Sequence, residues 1–474
     1  MTELKRSLNL FDTIMLVSGS MIGSGIFIVT ADMVRVLGSP FWVLMCWLIS
    51  GVITLFAALS YGELAGMMPE AGGQFIYLKR AYGKLTSFVY GWTVFMVIQT
   101  GVIAAVAVAF AKYTGVFIPF FDEGNILINT GGFAVSAPQL LAVGLIVFLT
   151  WLNSMGINNG RLIQRVFTST KILALAGLIL LGFIVGQSSG YWKQNIQLPF
   201  HPAGTSGDFS VAALVSAIGV ALIGALFSSD AWNNVTFIAG EIKEPRRNIP
   251  LGLFIGVLIV TILYILANVA YFMLLPALGS PEGATVAERG IAFAQNERVG
   301  SAAMYGVFGD VSASIMALLI IISTFGCNNG LILQGARLFN AMANEGLFFK
   351  SASYINKYSV PSKALWLQAA WSSLLCLSGS YGSLLDYCTF ASLVFYLITI
   401  TALFRLRITE PLAPRPYKAF GYPVVPGLYI LIAGAICVDL LIFKPDNTAI
   451  GLLIMLLGVP VYYFFNKKKN GIPQ

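Results

Sequence analysis

Apolar residues occupy most of the chain in long runs, which short polar segments separate. Most runs have about the 20 residues that a helix needs to cross a hydrocarbon core of about 30 Å. Continuous runs of this length favour helices over the short alternating strands of a membrane barrel. We therefore predict about twelve membrane-spanning helices, within residues 10–36, 41–66, 85–114, 137–155, 163–187, 210–239, 248–275, 309–343, 361–378, 383–404, 424–443 and 447–465.

The first predicted span starts close to the amino terminus, where a cleaved signal peptide would also lie. It lacks a small-residue cleavage site, and the second span follows directly after it. We therefore expect this run to be the first transmembrane helix.

The composition is that of an integral membrane protein, since 57% of the 474 residues are hydrophobic and 10% are charged. Basic residues concentrate in alternate connections, and such residues are retained in the cytoplasm. We therefore predict a multi-pass protein of the plasma (inner) membrane with both termini cytoplasmic. The basic residues that set this orientation are Lys5, Arg6, Lys79, Arg80, Lys84, Arg161, Arg165, Lys243, Arg246, Arg247, Lys350, Lys357, Lys363, Arg405, Arg407, Arg415, Lys418, Lys467, Lys468 and Lys469.

The net charge of +8 is spread over these loops and is not gathered with aromatic residues on a soluble domain. We therefore expect the basic residues to face the anionic headgroups of the lipid bilayer, with no nucleic acid as a partner.

Residues for enzymatic chemistry are scarce. The single histidine, His201, lies in a predicted outward loop, so neither a serine–histidine triad nor a histidine metal cluster can be assembled. The cysteines lie inside predicted spans without a CxxC pair, which is typical of apolar packing residues. We expect no enzyme activity, cofactor, metal or disulfide. The five cysteines are Cys46, Cys327, Cys376, Cys388 and Cys437.

Glycines interrupt the first span in the stretch "VSGSMIGSGIF", residues 17–27. Gly19, Gly23 and Gly25 make unwinding of a helix inexpensive and let a ligand approach the main chain. Amides freed at the start of the outer half can bind a carboxylate, and carbonyls that end the inner half can bind an ammonium group. The same glycines also match the GxxxG spacing of packed membrane helices, so close helix contact is the alternative interpretation.

A second polar interruption lies in the sixth span, in "ALFSSDAWNNV", residues 225–235. Ser and Asp are residue types that cap a new helix, so one half-helix is expected to stop near Phe227 and the next to begin near Asp230. Spans one and six are equivalent if the chain consists of two five-span halves. Paired interruptions of this kind indicate the midplane binding site of a transporter.

Several motifs now resemble one family: "GSMIGSGIF", "TSTKILAL", "FSSDAWNNVTFIAGEIKEPRRNIP", "FGCNNGLILQGARLFNAMANEG" and "RPYKAFGYP". The chain resembles the amino acid–polyamine–organocation superfamily, and within it a bacterial member of the L-type amino-acid transporter branch. The resemblance implies an all-α membrane protein of twelve transmembrane helices in the five-plus-five inverted-repeat, LeuT-like fold, with discontinuous helices 1 and 6. The repeats would be residues 1–200 and 201–407, followed by residues 408–474.

The resemblance also implies where an amino acid binds. The amides of Ser24 and Gly25 would hold the substrate carboxylate, and carbonyls of both interrupted spans would meet its ammonium group. Phe227 lies at the position where the family has an aromatic outer gate, and Trp232 is interpreted as a second gating residue. The implied substrate-binding residues are Met21, Ile22, Gly23, Ser24, Gly25, Phe227, Asp230 and Ser392.

The sixth span departs from the family pattern, which commonly has an aromatic residue and glycines before the tryptophan. Here Ser229, Asp230 and Ala231 precede Trp232. Asp230 is interpreted either as a helix cap or as a direct ligand of the substrate ammonium group.

Lys171 lies about ten residues beyond Arg161, too deep in the membrane to reach the headgroups easily. The alternative is a shallower fifth span, in which Lys171 does reach the headgroups. The resemblance implies that its ammonium group replaces the sodium ion of sodium-coupled relatives and contacts an oxygen near Gly23 and polar groups of span eight. Asn329 of span eight is assigned to the same role. Asn328, Asn329 and Ser392 could instead form hydrogen bonds between helices.

Glu63, Glu241 and Arg337 lie near the predicted inner ends of helices. They are interpreted either as ion pairs of an inner gate or as ordinary topology anchors.

We therefore expect a secondary transporter that exchanges neutral L-amino acids by alternating access without sodium. The alternatives are a proton-coupled amino-acid or polyamine carrier and a membrane receptor or scaffold that does not transport. Human-type members of the branch attach to a heavy chain through a cysteine after span three. This chain has no cysteine in residues 115–136, so we expect no disulfide-linked heavy chain.

Overall fold

A computed structural model of the protein describes residues 6–122, 124–129, 134–198, 211–378, 381–443 and 445–470, and His201 lies outside these ranges. The α-helices are α1 Leu10–Met21, α2 Thr30–Leu37, α3 Pro40–Met67, α4 Gln74–Tyr82, α5 Lys84–Thr93, α6 Gln99–Thr114, α7 Ala137–Ser154, α8 Ile157–Ser189, α9 Tyr191–Ile196, α10 Val211–Ser228, α11 Pro245–Leu274, α12 Val286–Arg289, α13 Val299–Phe308, α14 Ser312–Asn344, α15 Ser362–Ser378, α16 Tyr381–Thr409, α17 Val424–Phe443 and α18 Pro445–Asn470.

Short segments of other geometry join several of these helices. A π-helical turn, Val94–Ile98, connects α5 to α6, and two strands, β1 (Ile126–Asn129) and β2 (Ala134–Ser136), pair antiparallel. The 3₁₀ segments are Gly25–Phe27, Pro119–Phe121, Trp232–Glu241, Gln295–Glu297, Gly309–Val311 and Lys350–Ser353.

Ten helical stretches within the described ranges are long and apolar enough to cross a membrane, which confirms a multi-pass membrane protein. Two of the predicted spans are not among them. The run 10–36 is divided between α1 and α2, and α15 has 17 residues.

Local sequence explains where the helices of the first predicted span begin and end. Asn9 and Asp12 form a capping box at the start of α1, because each side chain binds the backbone amide of the other. Gly38 ends α2 with a φ of 62°, a left-handed conformation that glycine adopts without strain. The polypeptide then turns directly into α3, whose first residue is Pro40.

Helix α11 contacts α1, α3 and α8, while α14 contacts α6 and α8. Small residues permit these close contacts. Gly51 of α3 faces Thr261 of α11, and Gly252 and Gly256 of α11 face Thr13 and Val17 of α1. Helix α1 is therefore largely enclosed by other helices after its first turn, and the break at its end is buried in protein.

Candidate functional site

The breaks that end α1 and α10 lie against each other. A Cβ atom on Gly25 would overlap the side chain of Ser228, so only glycine leaves room for this contact. The Tyr264 hydroxyl lies 3.0 Å from the Met21 carbonyl oxygen and 3.1 Å from that of Ser228. One tyrosine of α11 therefore bridges the two broken helix ends.

The break after α1 spans residues 22–24, which lie between α1 and the 3₁₀ turn that begins at Gly25. Ile22 is extended, with φ −75° and ψ 93°, although its amide still donates to the Ser18 carbonyl. Helical bonding resumes where the Phe27 amide donates to the Ser24 carbonyl. Residues 21–25 are all buried. The predicted interruption of the first span is thus present in the structure, at the glycine-rich stretch.

The glycines also form close helix contacts, so both interpretations of the stretch describe part of it. A Cβ atom on Gly19 would overlap the side chains of Gln164 and Thr168 on α8. Gly19 therefore serves helix packing, whereas Gly25 serves the contact between the two breaks.

Lys171 of α8 reaches into the α1 break. Its Nζ donates to the carbonyl oxygens of Gly19 at 2.5 Å and Ile22 at 2.7 Å, and it lies 3.5 Å from that of Ser323 on α14. The sequence predicted a contact near Gly23, which is one residue from Ile22 and four from Gly19. The hydroxyl of Ser323 is the group that reaches Gly23, at 3.2 Å from its carbonyl oxygen. The lysine is 4% exposed, so its ammonium group is solvated by these carbonyls and not by water.

Asn329 differs from its predicted role beside Lys171. Its side-chain amide donates to the Gly160 carbonyl at 3.0 Å, and its oxygen accepts from Asn153 at 2.9 Å. Asn329 therefore holds α14 against α7 and α8. The amide of Asn328 lies against the backbone of α6. Both asparagines match the alternative in which they form hydrogen bonds between helices.

The break after α10 corrects one interpretation of Asp230. The next helical segment is capped by Ala231, which has a φ of 64°, and not by Asp230. The Asp230 carboxylate instead accepts hydrogen bonds from the Tyr396 hydroxyl at 2.5 Å and the Ser392 hydroxyl at 3.3 Å. The backbone turns by the left-handed conformation of Ala231, and the carboxylate faces α16.

Two small cavities lie next to the Asp230 carboxylate. In each cavity the centre of a water molecule could move within about 20 Å³, so each cavity has room for one water. Asp230, Ser392 and Tyr396 line both cavities, and Trp232 lines one. Among the described residues, the lining sets do not include residues 21–25 or Phe227. The structure thus brings Asp230 and Ser392 together at a cavity, and the α1 break contacts Ser228, the residue before Ser229, which lines one of the cavities.

Polar side chains continue from this cavity in a hydrogen-bonded chain. The Tyr396 hydroxyl lies 3.1 Å from the Asn233 side-chain oxygen, and the Asn233 amide donates to Gln74 at 2.9 Å. Asn234 donates to Gln99 at 3.0 Å. These buried amides connect the segment after α10 with α4, α6 and α16.

The two predicted gating residues are buried on either side of the break. Phe227, 8% exposed, lies in the last turn of α10, and its carbonyl accepts from the Asp230 amide. The Trp232 ring packs edge-on against Tyr61 at 4.8 Å between centroids and lies 5.3 Å from Tyr396. Trp232 therefore belongs to an aromatic cluster that closes one side of the Asp230 cavities.

The three charged residues assigned to an inner gate are buried and paired. Arg337 Nε lies 2.7 Å from Glu241 Oε1, with both side chains at most 1% exposed. Glu63 is bound instead by Arg407 at 2.5 Å and by Arg415 at 3.1 Å. The pairs join separate segments of the chain, as an inner gate would require, and leave a role as topology anchors open.

A short parallel bridge lies beside the Arg337–Glu241 pair. The Leu8 amide donates to the Glu241 carbonyl, and the Lys243 amide donates to the Leu8 carbonyl. The start of α1 and the end of the segment after α10 are thereby tied together.

Three residues of the site were not predicted: Tyr264, Ser323 and Tyr396. Tyr396 carries a signal that the sequence does contain, because it lies four residues after Ser392 and therefore on the same helix face. Tyr264 and Ser323 lie in apolar runs with no local feature that marks them. Their roles depend on helices that are distant in the chain.

Comparison with known proteins identifies the family of the chain. A family model described as amino acid permease matches residues 8–465. The chain is 30% identical to the human b(0,+)-type amino acid transporter 1, covering 100% of this chain and 90% of that protein. It is 30% identical to the human large neutral amino acids transporter small subunit 2, over 97% of this chain and 80% of that protein. The mouse Asc-type amino acid transporter 1 is 27% identical, with 97% and 81% covered. The chain therefore belongs to the amino acid permease family, in the amino acid–polyamine–organocation superfamily, and is similar to its L-type transporters.

Proposed function

We propose that this protein is a secondary active transporter that exchanges neutral L-amino acids by alternating access, without sodium. The observation that carries the proposal is the pair of helix breaks in contact, with the Lys171 ammonium group bound to the carbonyls of Gly19 and Ile22. A cation that is part of the protein occupies the carbonyl cluster that a bound metal cation would otherwise need. Transport then requires no sodium gradient.

The proposed site recognises the group that all α-amino acids share. The backbone amides of Ser24 and Gly25 stand at the start of the helical turn after the α1 break and would hold the carboxylate. The Asp230 carboxylate and the carbonyls near both breaks would hold the ammonium group. The carbonyls of Met21 and Gly23 each accept one hydrogen bond and could accept a second, whereas the Ile22 carbonyl already accepts from Lys171 and Ser323.

Alternating access is supported by the small size of the cavities. A space for one water cannot contain an amino acid, so the helices around Asp230 must separate before substrate enters. Phe227 is proposed as the gate on the outer side, and Trp232 as the gate on the inner side. Ser392 is proposed as a substrate contact because it lines the same cavities as Asp230.

The proposed architecture is the twelve-helix, LeuT-like fold. The ten long apolar stretches are ten of its spans, α1 together with α2 forms another, and α15 forms the twelfth. Residues 1–200 and 201–407 would form the two inverted repeats, and residues 408–474 the last two helices. Both termini are proposed to be cytoplasmic in the plasma (inner) membrane. Breaks after α1 and α10, at corresponding places of the two repeats, support this arrangement.

A disulfide-linked heavy chain is not part of the proposal, although one relative is named a small subunit. All five cysteines are buried in helices. Their thiols are therefore inaccessible to a cysteine of a partner outside the membrane.

The experiment is counterflow in proteoliposomes. An exchanger takes up labelled neutral amino acid only when unlabelled substrate is inside, and with equal rates in sodium and choline buffer. Lys171→Met removes the ammonium group and is expected to lower the exchange rate at least tenfold, since it leaves buried carbonyls without a donor. Lys193→Met, at an exposed position of α9, is the matched control and should not change the rate.

The outcomes separate the proposed exchanger from its alternatives. Accumulation into empty vesicles under an imposed pH gradient would instead identify a proton-coupled carrier, and preferred flux of diamines a polyamine carrier. Binding of amino acids without flux would identify a receptor. Undiminished exchange by the Lys171→Met variant would contradict the assignment of Lys171 to the transport site.

A further inference from the structure

A large apolar recess lies on the outside of the helix bundle, away from the proposed transport site. It has a volume of about 700 Å³ and lies between α3 and the first turns of α11. Leu59 of α3 and Leu251 and Phe254 of α11 line its walls, and Phe420, from the segment between α16 and α17, lines its edge. Leu251 and Phe254 are each 36% exposed and Phe420 is 69% exposed, so apolar surface remains open here.

Two arginines line the same recess. Arg246 and Arg247 lie in the first turn of α11 and are both exposed. Arg247 has one weak partner, since its nearest guanidinium nitrogen is 3.7 Å from the Glu244 carboxylate and both side chains are more than 70% exposed. Within the part of the chain that the structure describes, no carboxylate lies within 4.0 Å of the Arg246 guanidinium. The positive charge at this recess is therefore not neutralised by the protein.

An apolar groove that ends at unneutralised guanidinium groups matches the two parts of an anionic phospholipid. Arginine binds phosphate through paired N–H donors, and acyl chains need only an apolar wall. In the proposed orientation these arginines lie at the cytoplasmic ends of the helices, at the depth of the inner headgroups. A sterol or a zwitterionic lipid would leave the guanidinium groups without a net counter-charge.

We propose that this recess binds one anionic phospholipid, with its phosphate at Arg246 and Arg247 and an acyl chain against Leu251 and Phe254. The bound lipid touches three separate parts of the chain, which are α3, α11 and the segment that contains Phe420. Helix α3 and the segment that contains Phe420 already pack closely beside the recess. A Cβ atom added to Gly62 of α3 would lie only 2.9 Å from the Tyr417 ring. The lipid extends this junction toward the membrane and holds its three parts together.

The test is lipid binding to the purified full-length protein, which does not depend on transport. Native mass spectrometry and thermal unfolding in detergent are measured with dioleoyl phosphatidylglycerol, with dioleoyl phosphatidylcholine and with glycerol phosphate. We expect retention of one phosphatidylglycerol and stabilisation by this lipid alone. The double variant Arg246→Gln, Arg247→Gln should need roughly tenfold more phosphatidylglycerol for the same stabilisation. Both arginines are exposed, so the variant should fold normally.

Lys243→Gln is the matched control, because it removes one exposed positive charge from the same segment without touching the recess. It should leave the phosphatidylglycerol titration unchanged. The proposal is overturned if phosphatidylcholine binds equally well, if Lys243→Gln weakens binding as much as the double variant, or if glycerol phosphate stabilises the protein without an acyl chain.

Discussion

Single residues decide the chemistry at the contact between the two helix breaks. Gly25 is required because any side chain would enter the space of Ser228. Lys171 supplies the cation that the Gly19 and Ile22 carbonyls bind. Asp230 supplies a carboxylate held by the hydroxyls of Ser392 and Tyr396. These groups are adjacent only in the folded chain, and a change at any one of them has a different expected effect.

Gly25→Ala tests the contact between the breaks. The added methyl group overlaps Ser228, so we expect a loss of about 1–3 kcal/mol of stability and at least a tenfold lower exchange rate. Gly144→Ala is the matched control, because nothing lies within 4 Å of a Cβ atom at that exposed position of α7. Thermal unfolding and proteoliposome exchange measure both effects. Equal behaviour of the two variants would contradict the assigned contact.

Asp230→Asn tests the proposed ammonium ligand. The variant keeps an oxygen for the Tyr396 hydroxyl and loses the negative charge, so the substrate KM should rise roughly tenfold, because a hydrogen bond to a charged group contributes about 1.5–3 kcal/mol. Asp310→Asn, at an exposed position, should leave the KM unchanged. If the KM of Asp230→Asn equals that of the parent protein, the carboxylate does not bind the substrate and its role is structural only.

At the scale of helices, the interrupted elements depend on their ends being tied to neighbours. The Leu8–Ile242 bridge joins the start of α1 to the end of the segment after α10. The buried Arg337–Glu241 pair attaches that same segment to α14. An interrupted helix lacks a continuous hydrogen-bond ladder, so contacts such as these keep its two halves in place.

Arg337→Met tests the connection between α14 and the segment after α10. Because the Glu241 carboxylate would remain buried without its partner, we expect a loss of about 3–5 kcal/mol of stability, measured as a lower thermal unfolding midpoint. The double variant Arg337→Met, Glu241→Gln should recover much of this loss. For comparison, Glu410→Gln removes the partner of Arg80 from a half-exposed pair and should cost under about 1 kcal/mol.

An absence of recovery in the double variant would show that the pair does not act as a unit. The transport assay adds an independent measurement, because an inner-gate role predicts a changed exchange rate at temperatures where the protein is still folded. A purely structural pair would lower the unfolding midpoint and leave that rate unchanged.

At the scale of the whole molecule, apolar helices surround a polar centre. Lys171 and the amides of Gln74, Gln99 and Asn233 are buried there, and Asp230 is partly buried, in a region where an unpaired polar group would be costly. The outer surface of the helices is apolar and exposed, as expected for contact with lipid. The proposed transport path therefore lies inside the bundle, while the recess at Arg246 lies on its periphery.

The proposed topology predicts which loops an impermeant reagent can reach. Ser280→Cys places a thiol in the exposed segment between α11 and α12, and Lys357→Cys places one between α14 and α15. In intact cells, an impermeant maleimide should label the first variant and not the second, and permeabilised cells should show both. The five buried native cysteines should give little background. Labelling of Lys357→Cys in intact cells would reverse the proposed orientation.

Much of the fold was predictable because hydrophobic run length is a local property. The ten long apolar stretches and both helix breaks coincide with the predicted runs and interruptions. The bonding of Lys171 to buried acceptors was also predictable, since a lysine so far inside a span must find such groups. One acceptor, Ile22, is next to the predicted Gly23, but the other, Gly19, lies four residues before it, because the choice among carbonyls depends on the backbone angles of Ile22.

Other details were not accessible from sequence, for a physical reason. Aspartate is a residue type that often caps helices. Here Ala231 occupies the N-cap position instead, and the Asp230 carboxylate accepts a hydrogen bond from α16. Asn329 lies in the same span as Ser323, but its face of α14 points to α7 and α8. In each case several helices compete for one polar side chain, and only their relative placement decides between them.

The sequence by itself determined the class of protein, the positions of its helices and the two places where they break, because hydrophobicity, helix propensity and glycine content act along the chain. The tertiary structure decided which groups meet: Lys171 with Ile22, Asp230 with Tyr396, and Arg337 with Glu241. These contacts join residues that are far apart in the chain. Their geometry follows from how α8, α14 and α16 pack around the breaks, and no local pattern records that packing.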